Sequence, residues 1–190
     1  MRRLLQSELP DDWNKAISVL RHCTAVMWVE EEALGETSKK PVTVVEDHWL
    51  NKFIDNHAGN LGKRVGHKAA EVFVERLRET YDQTKRDLPT WLHRPAIEQH
   101  AQNHQWMGPE NRFVEGLCEV LLSWVDHDTS SSKQFVQALI TDDANILRRI
   151  GIHVVDRRWD KLRQVFLPFI GLRLFDDESL HEVYGLLQRH

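Results

Sequence analysis

The residues best suited to chemistry in this chain are three histidines in the stretch WLHRPAIEQHAQNHQW: His93, His100 and His104. His100 and His104 are four residues apart, so on a helix both imidazoles share one face and can hold one metal ion. A zincin needs a glutamate directly after the first histidine to serve as general base. Ala101 stands there, and Glu98 precedes the pair instead. The plainer reading is a solvated helix face with scattered histidines; a metal-dependent enzyme centred on His93, His100 and His104 is kept as an alternative.

A second set is basic. Arg148, Arg149, Arg157, Arg158, Lys161 and Arg163 recur along one predicted helical stretch, with Trp159 available to stack on a base. Asp156 and Asp160 interleave, so ion pairs four residues apart account for the same charges. The chain as a whole carries a net charge of −4, which opposes bulk attraction to a polyanion. A nucleic-acid-associated module using this stretch is the other alternative.

Other motifs reduce to helix architecture. GNLGKRVG (residues 59–66) resembles a phosphate loop, yet His57 stands where a Walker loop needs glycine and Arg64 where it needs Ser or Thr. It reads as a helix end at Gly59 and a restart at Asn60. Three acidic doublets, Asp11-Asp12, Asp142-Asp143 and Asp176-Asp177, each precede or open a predicted helix, where carboxylates satisfy free N–H groups and favour the positive end of the dipole. Ser130 to Ser132 form a polar connector, not a nucleophile elbow. The only two cysteines, Cys23 and Cys118, sit in apolar patterns and suit neither a disulfide framework nor a four-thiolate zinc site. No motif calls for a cofactor.

The elements that must position these residues are helices. The chain has 190 residues, 41% hydrophobic and 28% charged, enough to bury a core and solvate the rest. Periodicity predicts a first helix from Asp11 through Met27, fading at Glu30–Glu32. Residues 41–45, PVTVV, are the only plausible strand; without an evident partner they read as an extended connector. A helix opens at Glu46-Asp47 and another runs from Leu61 to Tyr81, with Pro89 as a stop. A polar helix is predicted for Trp91–Trp106, and the clearest amphipathic run carries Phe113, Leu117, Val120, Leu121 and Trp124. Helices over 132–141, 144–158 and 160–167 follow, and a last one carries Leu180, Val183, Tyr184 and Leu187. The fold class is therefore all-α, about nine helices, as an irregular helical bundle or a short α-solenoid of HEAT-like pairs. Residues 1–107 form an N-terminal helical part and 108–190 a C-terminal helical-repeat part, or the two make one continuous domain. Seven tryptophans spread over most helices read as packing anchors. No signal-peptide apolar region and no stretch of membrane-spanning length is present, so a soluble, cytoplasmic chain without membrane contact is expected.

The segments ANILRRIGIHVVDRRWDKLRQVFLP and FDDESLHEVYGLLQRH resemble the helical-repeat region of large bacterial STAND/NACHT-like, anti-phage-defence NTP-binding proteins. Leu147, Arg148, Arg149, Ile150, Ile152 and His153 carry the resemblance, with His181, Glu182, Val183, Tyr184, Leu186 and Leu187; WLNKFIDNHAGNLG (residues 49–62) is similar to another such segment. Together these cover about a third of the chain. The ATPase and effector domains of that family lie elsewhere, so the resemblance implies a non-catalytic scaffold or sensing region and assigns no catalytic residue. The expected function is a non-enzymatic helical module that mediates protein–protein interaction, as a fragment of, or partner to, a larger assembly.

Overall fold

The computed structural model describes residues 1–33, 36–84, 89–98, 100, 103, 108–171, 175 and 177–190, with the backbone alone at 33, 36, 82–84, 93 and 177. The fold is mostly α, as expected, with nine α-helices and one two-stranded sheet among the described residues. Among them no helix is long and apolar enough to cross a membrane.

A short α1 (Arg2–Gln6) leads into α2 (Pro10–Cys23). Pro10 sits in the first turn, where its missing N–H costs nothing, and Asp11 and Asp12 follow at the positive end of the dipole. The helix stops at Cys23, four residues before the expected Met27. From there β1 (Val26–Ala33) pairs antiparallel with β2 (Glu36–Thr43), Trp28 opposite Pro41 and Glu30 opposite Lys39. This corrects the sequence reading. PVTVV has a partner, and it is the Val26–Val29 run that periodicity had assigned to the helix. β-branched and aromatic side chains gain more on a pleated surface than in a helix.

The run α3 (Asp47–Thr84) is broken at Val65, whose φ/ψ of −138° and 31° is not helical. Two arms result, as predicted, but they part at Val65 rather than at Gly59. Both lie along α5 (Pro109–His127). In the first arm Arg112 reaches Asp55, and a Cβ at Gly62 would collide with the Val120 carbonyl oxygen. At the break Gly66 lies against the Trp124 indole. In the second arm Phe73 packs on Phe113 and against Gly116. The chain thus reverses direction along α5. Gly59, Gly62 and Gly66, which resembled a phosphate loop, are the close-approach track of this crossing.

A single-turn α4 (Thr90–His93) ends where the long polar helix predicted for Trp91–Trp106 should continue: residues 94–98 are not helical, and 99, 101, 102 and 104–106 lie outside the described residues. Arg94 leaves helical geometry at φ −137°, ψ 85°, in keeping with the bias that the following Pro95 imposes. Then α6 (Thr129–Ile140), α7 (Asn145–Arg157), α8 (Trp159–Phe166) and α9 (Leu180–Arg189) match the predicted C-terminal helices within a few residues. The Asp128 side chain accepts from the Ser131 N–H at 3.1 Å to cap α6, and Asp142 accepts from the Ala144 N–H at 2.9 Å ahead of α7. Asp177 opens the 3-10 turn that leads into α9, and Asp176 lies outside the described residues. The capping account of the doublets is therefore corrected: neither α2 nor α7 has a side-chain cap hydrogen bond, and what remains is the place of Asp11 and Asp12 at the positive dipole end of α2.

α5 and α7 are buried around most of their circumference. One hydrophobic cluster runs from Leu5 through both helices to Leu186. The arrangement is an irregular bundle about two enclosed helices, and the N- and C-terminal parts share a core across residues 107–108.

Candidate functional site

Two arginines fold the segment after α4 against the body. Arg94, almost fully buried, donates from Nε to the Ala96 carbonyl (3.0 Å), from Nη2 to the Ile97 carbonyl (3.1 Å) and from Nη1 to Asn111 Oδ1 (3.1 Å). Arg149 of α7 is fully buried. Its Nε and Nη2 donate to the two carboxylate oxygens of Glu182 on α9, each at 2.9 Å. The same guanidinium reaches Thr90 Oγ1 at 3.2 Å and the Pro95 carbonyl at 3.0 Å. Glu182 also accepts from the Ile97 N–H at 3.0 Å, and Glu178 accepts from both the N–H and the hydroxyl of Thr90 at 2.9 and 2.8 Å. Bidentate geometry and full hydrogen bonding are what make such a buried pair tolerable.

Beside this network lies a cleft of about 860 Å³ between the first arm of α3, α5, the end of α7 and residues 94–103. Its charges offset one another. Arg112 spans Asp55 at 2.7 Å and Glu115, and Glu98 stands 3.5 Å from His181 Nε2. His153 lines both this cleft and a small inner pocket with Asp156 and Glu182. Burial pushes the His153 imidazole down to about 4, outweighing the pull of Asp156. A neutral ring there can accept or donate a hydrogen bond but carries no charge at neutral pH. The Cys118 thiol, on the same wall, is pushed up to about 12 by burial and is not poised as a nucleophile.

Of the histidine set, His100 does not sit on a helix as expected. His93 ends α4 and its side chain is not described, His104 lies outside the described residues, and His100 follows the non-helical turn with its ring edge-on to His181, centroids 6.4 Å apart. Among the described residues no group of three or more His, Cys, Asp or Glu is arranged to hold a metal ion. The basic stretch is likewise not brought to one surface. Arg148 and Arg149 are buried, the latter committed to Glu182; Arg158 and Lys161 both clasp Asp126, at 2.6 and 2.7 Å; Arg157 and Arg163 are exposed.

Of the tryptophans, Trp124 packs on Gly66 and Phe135 and donates to Ser131 Oγ at 2.8 Å, Trp13 donates to the Ser7 carbonyl at 2.8 Å, and Trp159 stacks on His190. Trp49 and Trp91 are instead 59% and 44% exposed, so they do not anchor helix packing as expected; Trp106 lies outside the described residues. Sequence reasoning missed Arg94, Glu178 and Glu182. The one available signal was Glu182 itself, a carboxylate beside Val183 and four residues before Leu186 on the buried face of α9.

Neither a family model, nor a curated protein, nor a solved structure matches this chain.

Proposed function

We propose that the chain is a non-catalytic α-helical module that binds another protein, or another part of a longer chain, through the outer face of α9. One observation carries this reading. α9 buries Val183 and Leu186 on its inner face, while Tyr184 and Leu187, three residues apart, stand 55% and 51% exposed on the outer one. Leu167, Ile170 and Phe175, in the connection between α8 and α9, are exposed to a similar degree. A helix apolar on two faces suits burial between two layers. The cleft adds support, because Arg112 is engaged with Asp55 and Glu115 there and its thiol is held protonated. The resemblance of this region to helical repeats of bacterial anti-phage-defence NTPases is consistent with a scaffold or sensing role in such an assembly.

A photo-crosslinker at Tyr184 tests the proposal in cells that express the chain. A defined protein partner should be captured, and the Leu187→Glu variant should lose it while unfolding within about 0.5 kcal/mol of the parent, as an exposed site allows. Absence of any captured protein, or turnover of a substrate by the purified chain, overturns it.

A further inference from the structure

The β1–β2 ribbon has one open edge. The Val44 N–H donates to the Ala25 carbonyl at 3.0 Å, one step before the ladder. Antiparallel pairs alternate, so Met27–Val42, Val29–Lys40 and Glu31–Ser38 are the hydrogen-bonded pairs, and Trp28–Pro41, Glu30–Lys39 and Glu32–Thr37 are not. The backbone N–H and C=O of Trp28, Glu30 and Glu32 therefore point away from β2. Among the described residues nothing hydrogen-bonds to those three amides. Among the described residues the helical body meets the ribbon mainly at β2, through α3 and α5, and at Val26 at the start of β1; Glu30 and Glu32, further along β1, are exposed. The outer edge of β2 is also interrupted by Pro41, which has no N–H to offer and sits at a pair where the ladder does not need one.

The open edge is acidic. Trp28, Glu30 and Glu32 share one face of the ribbon, and Glu31 on the other face is tied to Lys40 at 2.6 Å. Glu30 and Glu32 are exposed and form no ion pair among the described residues, although Lys39 is the cross-strand neighbour of Glu30.

We infer that the free edge of β1 at Trp28–Glu32 is a docking site for an extended segment of a partner protein that carries Lys or Arg at two alternate positions and an apolar residue at the next. Strand addition at such an edge draws affinity from main-chain hydrogen bonds and specificity from alternate side chains. The two cations lie opposite Glu32 and Glu30, and the apolar side chain lies opposite Trp28. A second copy of this chain is a poor occupant. Its β1 would set glutamates against glutamates, and its β2 edge would present Pro41. This surface is separate from the outer face of α9, and the inference does not rest on that one.

The probe is the capped peptide Thr-Lys-Thr-Lys-Thr-Val-Thr, titrated into the full chain with amide resonances as readout. The Trp28, Glu30 and Glu32 amides should shift and become protected from exchange. The same peptide N-methylated at alternate amides keeps its charge but cannot pair, and should not bind. Glu30→Pro removes one outward N–H at a pair that needs none for the ladder, and should weaken binding about three- to tenfold. Glu30→Lys with Glu32→Lys should weaken the lysine peptide about tenfold and admit a peptide with Glu in place of Lys, a swap readable even where proline disturbs the ribbon. Leu187→Glu should bind the peptide as the parent does. Equal binding of the N-methylated peptide overturns the inference, as does protection absent from these three amides. Self-association of the chain that Glu30→Pro abolishes overturns the choice of occupant.

Discussion

Arg149 and Glu182 are both out of water, with side chains 0% and 3% exposed. Such a pair contributes little beyond what an apolar substitute would, but each partner makes the other tolerable. Glu182→Ala leaves a buried guanidinium without its carboxylate and should cost about 3–5 kcal/mol. Asp126→Ala, which releases the exposed Arg158 and Lys161, should cost no more than about 1 kcal/mol. Urea unfolding of both variants tests the contrast, and equal losses would mean that the buried network is not what holds residues 90–97. His153 supplies a pH test. Its folded value lies near 4, below the ordinary 6.5. Below the ordinary value the unfolded chain takes up a proton that the folded chain refuses, so this contribution is complete above about 6.5 and is lost as pH falls toward 4. Stability should decline across that window by up to about 1.4 kcal/mol per pH unit, and His153→Gln should flatten the decline. An unchanged slope in the variant would assign the acid sensitivity to other groups.

At the scale of elements, the contact between α3 and α5 depends on side chains that are missing. Gly62→Ala places a methyl group against the Val120 backbone, which cannot swing aside, and should destabilise by about 1–3 kcal/mol despite the better helix propensity of alanine. Gly185→Ala in α9 is the control. Its Cβ would meet only the Arg189 guanidinium, with Nη2 at 2.7 Å, the end of a flexible side chain that can give way while it keeps its pair with Asp156. That variant should gain up to about 1 kcal/mol. If Gly62→Ala is also stabilising in thermal melts, the arms of α3 do not approach α5 as closely as the backbone indicates. The ribbon shows the complementary case. β1 and β2 are each weak by local propensity, and it is their pairing, with Pro41 and Thr43 of β2 buried near the helical body, that makes them strands.

For the whole molecule, one core has one consequence. α3 lies before residue 107 and α5 after it, yet each buries its apolar face on the other. Unfolding should therefore be a single cooperative transition, with far-UV circular dichroism and tryptophan fluorescence coincident in urea. Two separated transitions would restore the division at residues 107–108. The same enclosure leaves the outer face of α9 and the ribbon, the two surfaces proposed for binding, at the periphery.

Local periodicity determined the helical class, the four C-terminal helices and the cap at Asp128, because amphipathic spacing and capping act within a few residues of one another. Distance in the chain decided the rest. Val26–Val29 reads equally well as the end of a helix until Pro41–Thr43 lies beside it. The reversal at Val65 follows from α5, more than forty residues on, offering a surface to both arms. Arg149 looked like a free cation beside Arg148 and became the least exposed charge among the described residues only when Glu182 of α9 and the carbonyl of Pro95 closed around it. Desolvation is set by everything that surrounds a group in space, so tertiary packing alone determined which charges stayed at the surface.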